Sequence, residues 1–324
     1  MGGEPGTRER IDHLDAARGC AILSMIFVNF VAQYDAIPAW TKHAPGQGFT
    51  YVDAIAPAFV FFMGISGALS FRRRREAGGP RGVALHALRR YGVLFLFGTI
   101  GTVILYAVSG DPEWNIFQTL AVAGLFSFPF LFLKPPMLRI AASLALMALY
   151  QFALAFFLSG ALFSREPALL FLPSCAQSLA MATLFLFGSG LAEWIRGGRT
   201  AAAAGITGVF ALCAGFGLWY PIPPDRAMGS VTYLLLGLGS AASCLFLFWA
   251  VERILGWKRV PVFSTLGRNP LLIFMIAAVL TKVLNVLLAE STGAPAVLAV
   301  AALLEAFCLS AAVLLDRRGI HVRL

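Results

Sequence analysis

Ser24-Met-Ile-Phe-Val-Asn29, then Lys42-His43-Ala44, then Asp53-Ala-Ile-Ala-Pro57 follow one another between two long apolar runs. The runs, residues 17–37 and 51–71, each reach the roughly 20 apolar residues that a membrane-spanning helix needs. The polar connection between them holds His43. Of the four histidines, His13, His86 and His321 lie among arginines, and only His43 does not. Any chemistry of this chain is therefore expected near His43.

The rest of the chain repeats the first two runs. It is 59% hydrophobic and 13% charged, with a mean hydropathy of +0.80. That excludes an ordinary soluble domain and makes the bilayer the solvent. The length criterion gives about ten spans: 17–37, 51–71, 89–109, 115–133, 137–160, 174–195, 201–220, 230–254, 266–289 and 295–315. Turn chemistry separates them at Gly110-Asp-Pro112, Lys134-Pro-Pro136, Arg165-Glu-Pro167, Gly197-Gly198, Pro221-Ile-Pro-Pro224 and Thr292-Gly293. The expectation is an all-α polytopic membrane protein forming one domain over 1–324. Residues 1–16 are read as a cytoplasmic N-terminal segment and 72–88 as a basic cytoplasmic loop.

Charge sets the orientation. With both termini inside, 21 of the 25 Lys and Arg residues fall on the inner side, three (Lys42, Arg165, Arg226) fall outside, and Lys282 lies within a span. Cytoplasmic loops carry such an excess, so His43 is expected on the outer face. The net charge of +9 is thus a topology signal. No basic-aromatic module outside the spans suggests nucleic acid. The preponderance of Arg over Lys points to a bacterial inner membrane. No cleavable signal sequence is expected, because no small-residue cleavage site follows the first run. Cys20, Cys175, Cys213, Cys244 and Cys308 sit in apolar runs without metal-ligand spacing, and are expected as small buried hydrophobes rather than metal ligands.

Polar groups inside spans are costly and are candidates for function. Asn29 and Gln33 share a face of the first helix at i, i+4 spacing. Thr50-Tyr-Val-Asp53 has the spacing of a capping box, and Pro57 is expected to bend the helix that follows. Lys282 and Glu305 lie at similar depth on the last two helices, as an ion pair or as substrate groups, with Asn285 on the face of Lys282. The glycine pairs Gly64/Gly67, Gly188/Gly190, Gly215/Gly217 and Gly237/Gly239 suit close helix packing in lipid.

Taken in order, Arg10-Ile-Asp-His-Leu-Asp15-Ala-Ala-Arg18-Gly19, Ser24 to Asn29, Lys42-His43, Gly48, Asp53 and Pro57-Ala-Phe-Val-Phe-Phe-Met-Gly64-Ile-Ser66 resemble heparan-α-glucosaminide N-acetyltransferase and its bacterial relatives. The likeness continues in Ile116-Phe-Gln118, in Thr265-Leu-Gly-Arg268-Asn269-Pro and in Asp316-Arg-Arg-Gly-Ile. The resemblance implies acyl transfer from cytosolic acetyl-CoA to an amine or hydroxyl on the far side of the membrane. It makes His43 and Asn29 the catalytic pair: His43 as base or acyl carrier, Asn29 as oxyanion donor. Asp53 would orient the imidazole or bind the acceptor, and Gln33, Lys282 and Glu305, polar groups read inside spans, are the other candidate substrate-binding residues. Arg18, Arg89, Arg90, Gln118, Arg268 and Asn269 fall toward acetyl-CoA, and a homodimer is the assembly it allows. The chain departs from the family pattern at Thr119, in the histidine-free Phe274-Met-Ile-Ala-Ala278, and at Pro45 and Gln47. The expected acceptor is a cell-envelope glycan, a glycolipid or a small amine. The rival expectation is a transporter with Asn29, Lys282 and Glu305 along its path.

Overall fold

The computed structural model describes residues 11–110, 114–158, 171–256 and 261–320. Arg8, Arg10, Arg165, Lys258, Arg259, His321 and Arg323, and the breaks at Asp111-Pro112 and Arg165-Glu-Pro167, lie outside these residues. The described residues form an all-α polytopic membrane protein. The helices are α1 (Asp12–Val31), α2 (Tyr51–Ser109), α3 (Ile116–Ser127), α4 (Pro136–Ala153), α5 (Leu172–Arg196), α6 (Thr200–Leu218), α7 (Val231–Ile254), α8 (Pro261–Arg268), α9 (Pro270–Leu287) and α10 (Ala294–Arg317). Eight helices among the described residues are long and apolar enough to cross a membrane.

Two expected boundaries fall differently. The basic stretch 72–88 is helical, so the second and third expected spans join into the 59-residue α2. Arg, Ala, Glu and Leu are strong helix formers, and Arg72 donates to Glu76 at i, i+4. Only Gly79, at φ 66°, leaves the helical region, just before Pro80. It makes an elbow between two apolar arms, and the helix continues through Pro57 without a break. The expected span 266–289 divides at Asn269–Pro270 into α8 and α9, because the residue before proline is steered out of helical conformation.

Glycines set the closest helix contacts. A Cβ on Gly64 would collide with the Phe185 carbonyl, and one on Gly188 with that of Phe61, so α2 and α5 meet backbone to backbone. Gly19 and Gly267 make the same reciprocal contact between α1 and α8, each against a carbonyl (of Phe263 and Asp15). Gly215 packs on Leu236, and Gly237 on Pro57, whereas Gly217 faces open space. Of the five cysteines only Cys308 is buried, and Cys213 is exposed. In lipid an apolar run has two apolar sides, and burial inside the bundle is only one of them.

Gly267→Val is expected to lower stability by about 3 kcal/mol, the upper range for overpacking, because backbone rather than a movable side chain meets the new atoms. Gly217→Ala should be neutral. Thermal unfolding in detergent compares the two, and equal melting temperatures would refute the packing argument.

Polar groups collect at the two ends of the bundle. At the N-terminal end of α1, His13 pairs with Glu252 at 2.7 Å and Arg18 pairs with Asp15. At the same end Arg72 and Arg196 share Glu193, and Arg268 pairs with Asp316. At the C-terminal end of α1 lie the connection 32–50, the connection 219–230 and Glu290, whose carbonyl accepts from the Asp35 amide.

Candidate active site

The connection between α1 and α2 is folded by its own polar groups. The Tyr34 ring is fully buried, and its carbonyl accepts from the Lys42 ammonium at 2.9 Å. That contact brings the next residue, His43, back over the bundle. Gly46 turns the chain at φ 66°, and the Gly48 amide then donates to the Pro224 carbonyl at 2.8 Å. Gln47 and Asp225 form an isolated bridge, so the connection 219–230 is laid against the histidine segment. The Trp40 and Tyr51 rings meet nearby at a tilt of 48°, 67% and 45% exposed, as aromatic anchors at a membrane interface are.

Thr50 and Asp53 form the capping box that opens α2, with the Thr50 amide donating to Asp53 Oδ2 at 2.9 Å. The same carboxylate does more than cap. Its Oδ2 also accepts from the Ala44 amide at 3.1 Å and lies 3.0 Å from the Thr50 hydroxyl. Its Oδ1 lies 2.7 Å from His43 Nδ1. Asp53 is 1% exposed and the His43 side chain 38%. Arg226 Nε stands 3.7 Å from the same Oδ1, so one buried carboxylate gathers three segments of the chain.

This geometry fixes the imidazole. An ionised carboxylate only accepts, so the His43 nitrogen facing it, Nδ1, carries a proton. In the neutral ring Nε2 is then an unprotonated acceptor, directed away from Asp53 and available to a substrate. A buried carboxylate facing Nδ1 of a histidine shares the geometry of the aspartate–histidine contact in a catalytic triad.

Asn29 is exposed although its neighbours Met25, Ile26, Val28 and Phe30 are all buried. Arg18, Ile22, Met25 and Asn29 follow at i, i+4, i+7 and i+11, one face of α1. Asn29 and Arg18 are therefore about 17 Å apart along that face at 1.5 Å per residue. Gln33, a turn beyond Asn29, reaches the Asn285 carbonyl at 3.5 Å, and Tyr34 donates to Asn285 Oδ1 at 3.2 Å. Lys282 is exposed on α9 and Glu305 half-buried on α10.

The residues expected to meet acetyl-CoA separate into three groups. Arg18 donates to Ser66 at 2.8 Å and to the Gly267 carbonyl at 2.6 Å, next to Arg268 and Asn269. Arg18 Nε, Arg268 Nε and the Ser264 hydroxyl are buried there without a hydrogen-bond partner. The Asn269 amide group donates to the Ile320 carbonyl at 3.0 Å. Gln118 is 5% exposed and engaged in the helix ends: its Oε1 accepts from the Asn115 amide at 2.8 Å and from Thr102 at 3.2 Å. Arg89 is exposed and Arg90 half-buried on the elbow of α2.

Sequence reasoning placed Arg226 on the side of His43 without singling it out. Its scarcity there, as one of three basic residues, was the available signal.

Residues 10–174 match the family described as heparan-alpha-glucosaminide N-acetyltransferase, catalytic. The match contains Arg18, Asn29, His43 and Asp53, whereas Arg226, Arg268, Asn269, Lys282 and Glu305 lie beyond it. No curated protein matches the chain. The match spans half of the chain, and the chain belongs to the heparan-alpha-glucosaminide N-acetyltransferase catalytic family.

Proposed function

We propose that this membrane acetyltransferase moves an acetyl group from cytoplasmic acetyl-CoA to an amine or hydroxyl of a sugar-like acceptor on the outer face. The observation that carries this reading is the His43–Asp53 pair, which leaves Nε2 as the nitrogen turned away from the carboxylate. The acceptor N–H or O–H gives its proton to Nε2 as the acceptor atom bonds to the acetyl carbon. The carbon–sulfur bond breaks, and the proton passes to the departing thiolate to give CoA thiol. Alternatively Nε2 bonds to the acetyl carbon first and hands the group on in a second step. The Asn29 amide donates to the oxygen that becomes negative in either course.

Acetyl-CoA fits the two-ended layout. The buried unpartnered donors of Arg18, Arg268 and Ser264 suit phosphate oxygens, with Asn269 beside them. The roughly 17 Å from Arg18 to Asn29 along one face of α1 is a span for the extended pantetheine arm. The excess of Lys and Arg at this end supports a cytoplasmic placement with His43 on the outer face, and the preponderance of Arg over Lys supports a bacterial inner membrane. Gln33, Lys282 and Glu305, with the charged Arg226, form the surroundings of a glycan, glycolipid or small-amine acceptor.

The test is transfer of label from radiolabelled acetyl-CoA by the purified protein in detergent, with an amino sugar as acceptor. Wild type is expected to turn over. Asn29→Ala is expected to lower kcat by about 10²-fold, the loss on removing one oxyanion donor. Label retained on acceptor-free protein after quenching identifies the acyl-histidine course. Absence of both acetyl-CoA binding and turnover in wild type would overturn the proposal.

A further inference from the structure

The elbow of α2 holds a pocket away from the His43–Asp53 pair. Its polar lining is Ser70, Arg74, His86 and Arg90, and Phe71, Tyr91 and Phe128 form apolar walls. Arg90 lies over the Tyr91 ring, 5.6 Å from its centre, and its Nε is buried without a hydrogen-bond partner. Arg74 Nε reaches the Ser70 hydroxyl at 3.4 Å.

The charge here is unbalanced. Several other basic groups at this end of the bundle meet carboxylates: His13 meets Glu252, Arg18 meets Asp15, Arg72 meets Glu76 and Glu193, and Arg268 meets Asp316. Among the described residues, no carboxylate lies within 4 Å of Arg74 or Arg90. Burial, reinforced by Arg74, Arg90 and Arg89, holds the His86 imidazole below its ordinary range, in the stretch between the two apolar arms. Two arginines facing one pocket repel each other unless an anion enters it. The pocket sits where the two apolar arms meet, with Phe71, Val83, Phe128 and Leu131 as apolar lining beside the arginines. A ligand with a phosphate head and apolar chains would meet both surfaces.

We propose that this elbow is a phosphate-binding site, in which Arg74, Arg90, His86 and the Ser70 hydroxyl hold a phosphate ester. Two sources carry that chemistry at this end of the bundle: the phosphodiester of an anionic phospholipid and the phosphates of CoA. The second rests on the acetyl-CoA reading above and the first does not. The apolar walls of Phe71, Tyr91 and Phe128 favour the phospholipid.

The experiment uses the full chain in nanodiscs of phosphatidylcholine doped with phosphatidylglycerol. Lipid retention is read by native mass spectrometry, and CoA and 3′-dephospho-CoA binding by calorimetry. The double variant Arg74→Gln/Arg90→Gln is compared with wild type and with Arg72→Gln, whose guanidinium does not line the pocket. Each variant is first checked for monodispersity and unchanged melting. The double variant is expected to retain about tenfold less phosphatidylglycerol, as befits loss of two charge-assisted contacts, with CoA affinity unchanged. A tenfold loss of CoA affinity with lipid retention intact would keep the site and assign its phosphate to the acyl donor. Wild type that retains lipid at the elbow but binds no CoA would sink the acetyl-CoA reading and leave the site standing. If the double variant matches Arg72→Gln in both ligands, the proposal is wrong. Should the double variant not fold, the single variant Arg90→Lys, which keeps the charge and loses the fork, is expected to weaken binding of the same ligand.

Discussion

His43→Ala is expected to reduce acetyl transfer by about 10³-fold, the middle of the range for a positioned base, with little loss of stability. The side chain is 38% exposed and makes one hydrogen bond, to Asp53. Its removal leaves the buried carboxylate with the Ala44 amide and the Thr50 amide and hydroxyl as donors. No charge is orphaned, so the unfolding free energy should shift by no more than about 1 kcal/mol. Acetyl-CoA affinity should be unchanged, because the donors proposed for its phosphates lie at the opposite end of α1. Turnover in His43→Ala within a few-fold of wild type would remove the histidine from the mechanism and revive the transporter reading.

Asp53→Asn is the second large effect, on the order of 10³-fold in kcat, by analogy with a triad aspartate replaced by its amide. The amide presents one acceptor and one donor where the carboxylate presents two acceptors. If its NH₂ faces His43, the imidazole must accept at Nδ1, and the proton moves to Nε2, which can then no longer act as a base. If its NH₂ faces the other way, it meets the Ala44 and Thr50 amides, donor against donor. The first arrangement removes activity, and the second costs about 1–3 kcal/mol for a buried unsatisfied group. The imidazole nitrogens report which occurs. With only four histidines in the chain, selective ¹⁵N labelling gives a resolvable spectrum in which the His43 tautomer is read directly. A purely structural aspartate would lower melting and leave tautomer and kcat alone.

Much of the site was legible in the sequence because its elements are local. Thr50 and Asp53 stand three apart, so the capping box could be read, and the helix start followed from it. Lys42 and His43 lie in a short connection whose two flanks are apolar enough to be recognised as spans. What could not be read is the contact of one carboxylate with three segments. Capping alone accounted for Asp53, and nothing in the spacing of residues 43 and 53 requires their side chains to meet across the connection. Arg226 joins them through the Gly48–Pro224 contact, a pairing of residues 176 positions apart. Gln118 drew attention as a polar group in an apolar segment. Among the described residues its atoms are engaged in holding α3 to α2, which local pattern does not distinguish from a ligand role. The elbow was misread for a different reason: arginines at 72–75 signalled a solvated connection, while their helix propensity kept it helical up to Gly79.

The convergence on Asp53 has a consequence for biosynthesis. A nascent chain grown to residue 174 already contains the whole matched region, with Asn29, His43 and the capping box. It still lacks the Pro224 carbonyl that anchors Gly48 and the guanidinium that stands beside Asp53, both supplied some fifty residues later. It lacks as well the α8 backbone into which Gly19 fits. Until those segments emerge, the Asp53 carboxylate and the Gly19 backbone lack partners that the folded chain gives them.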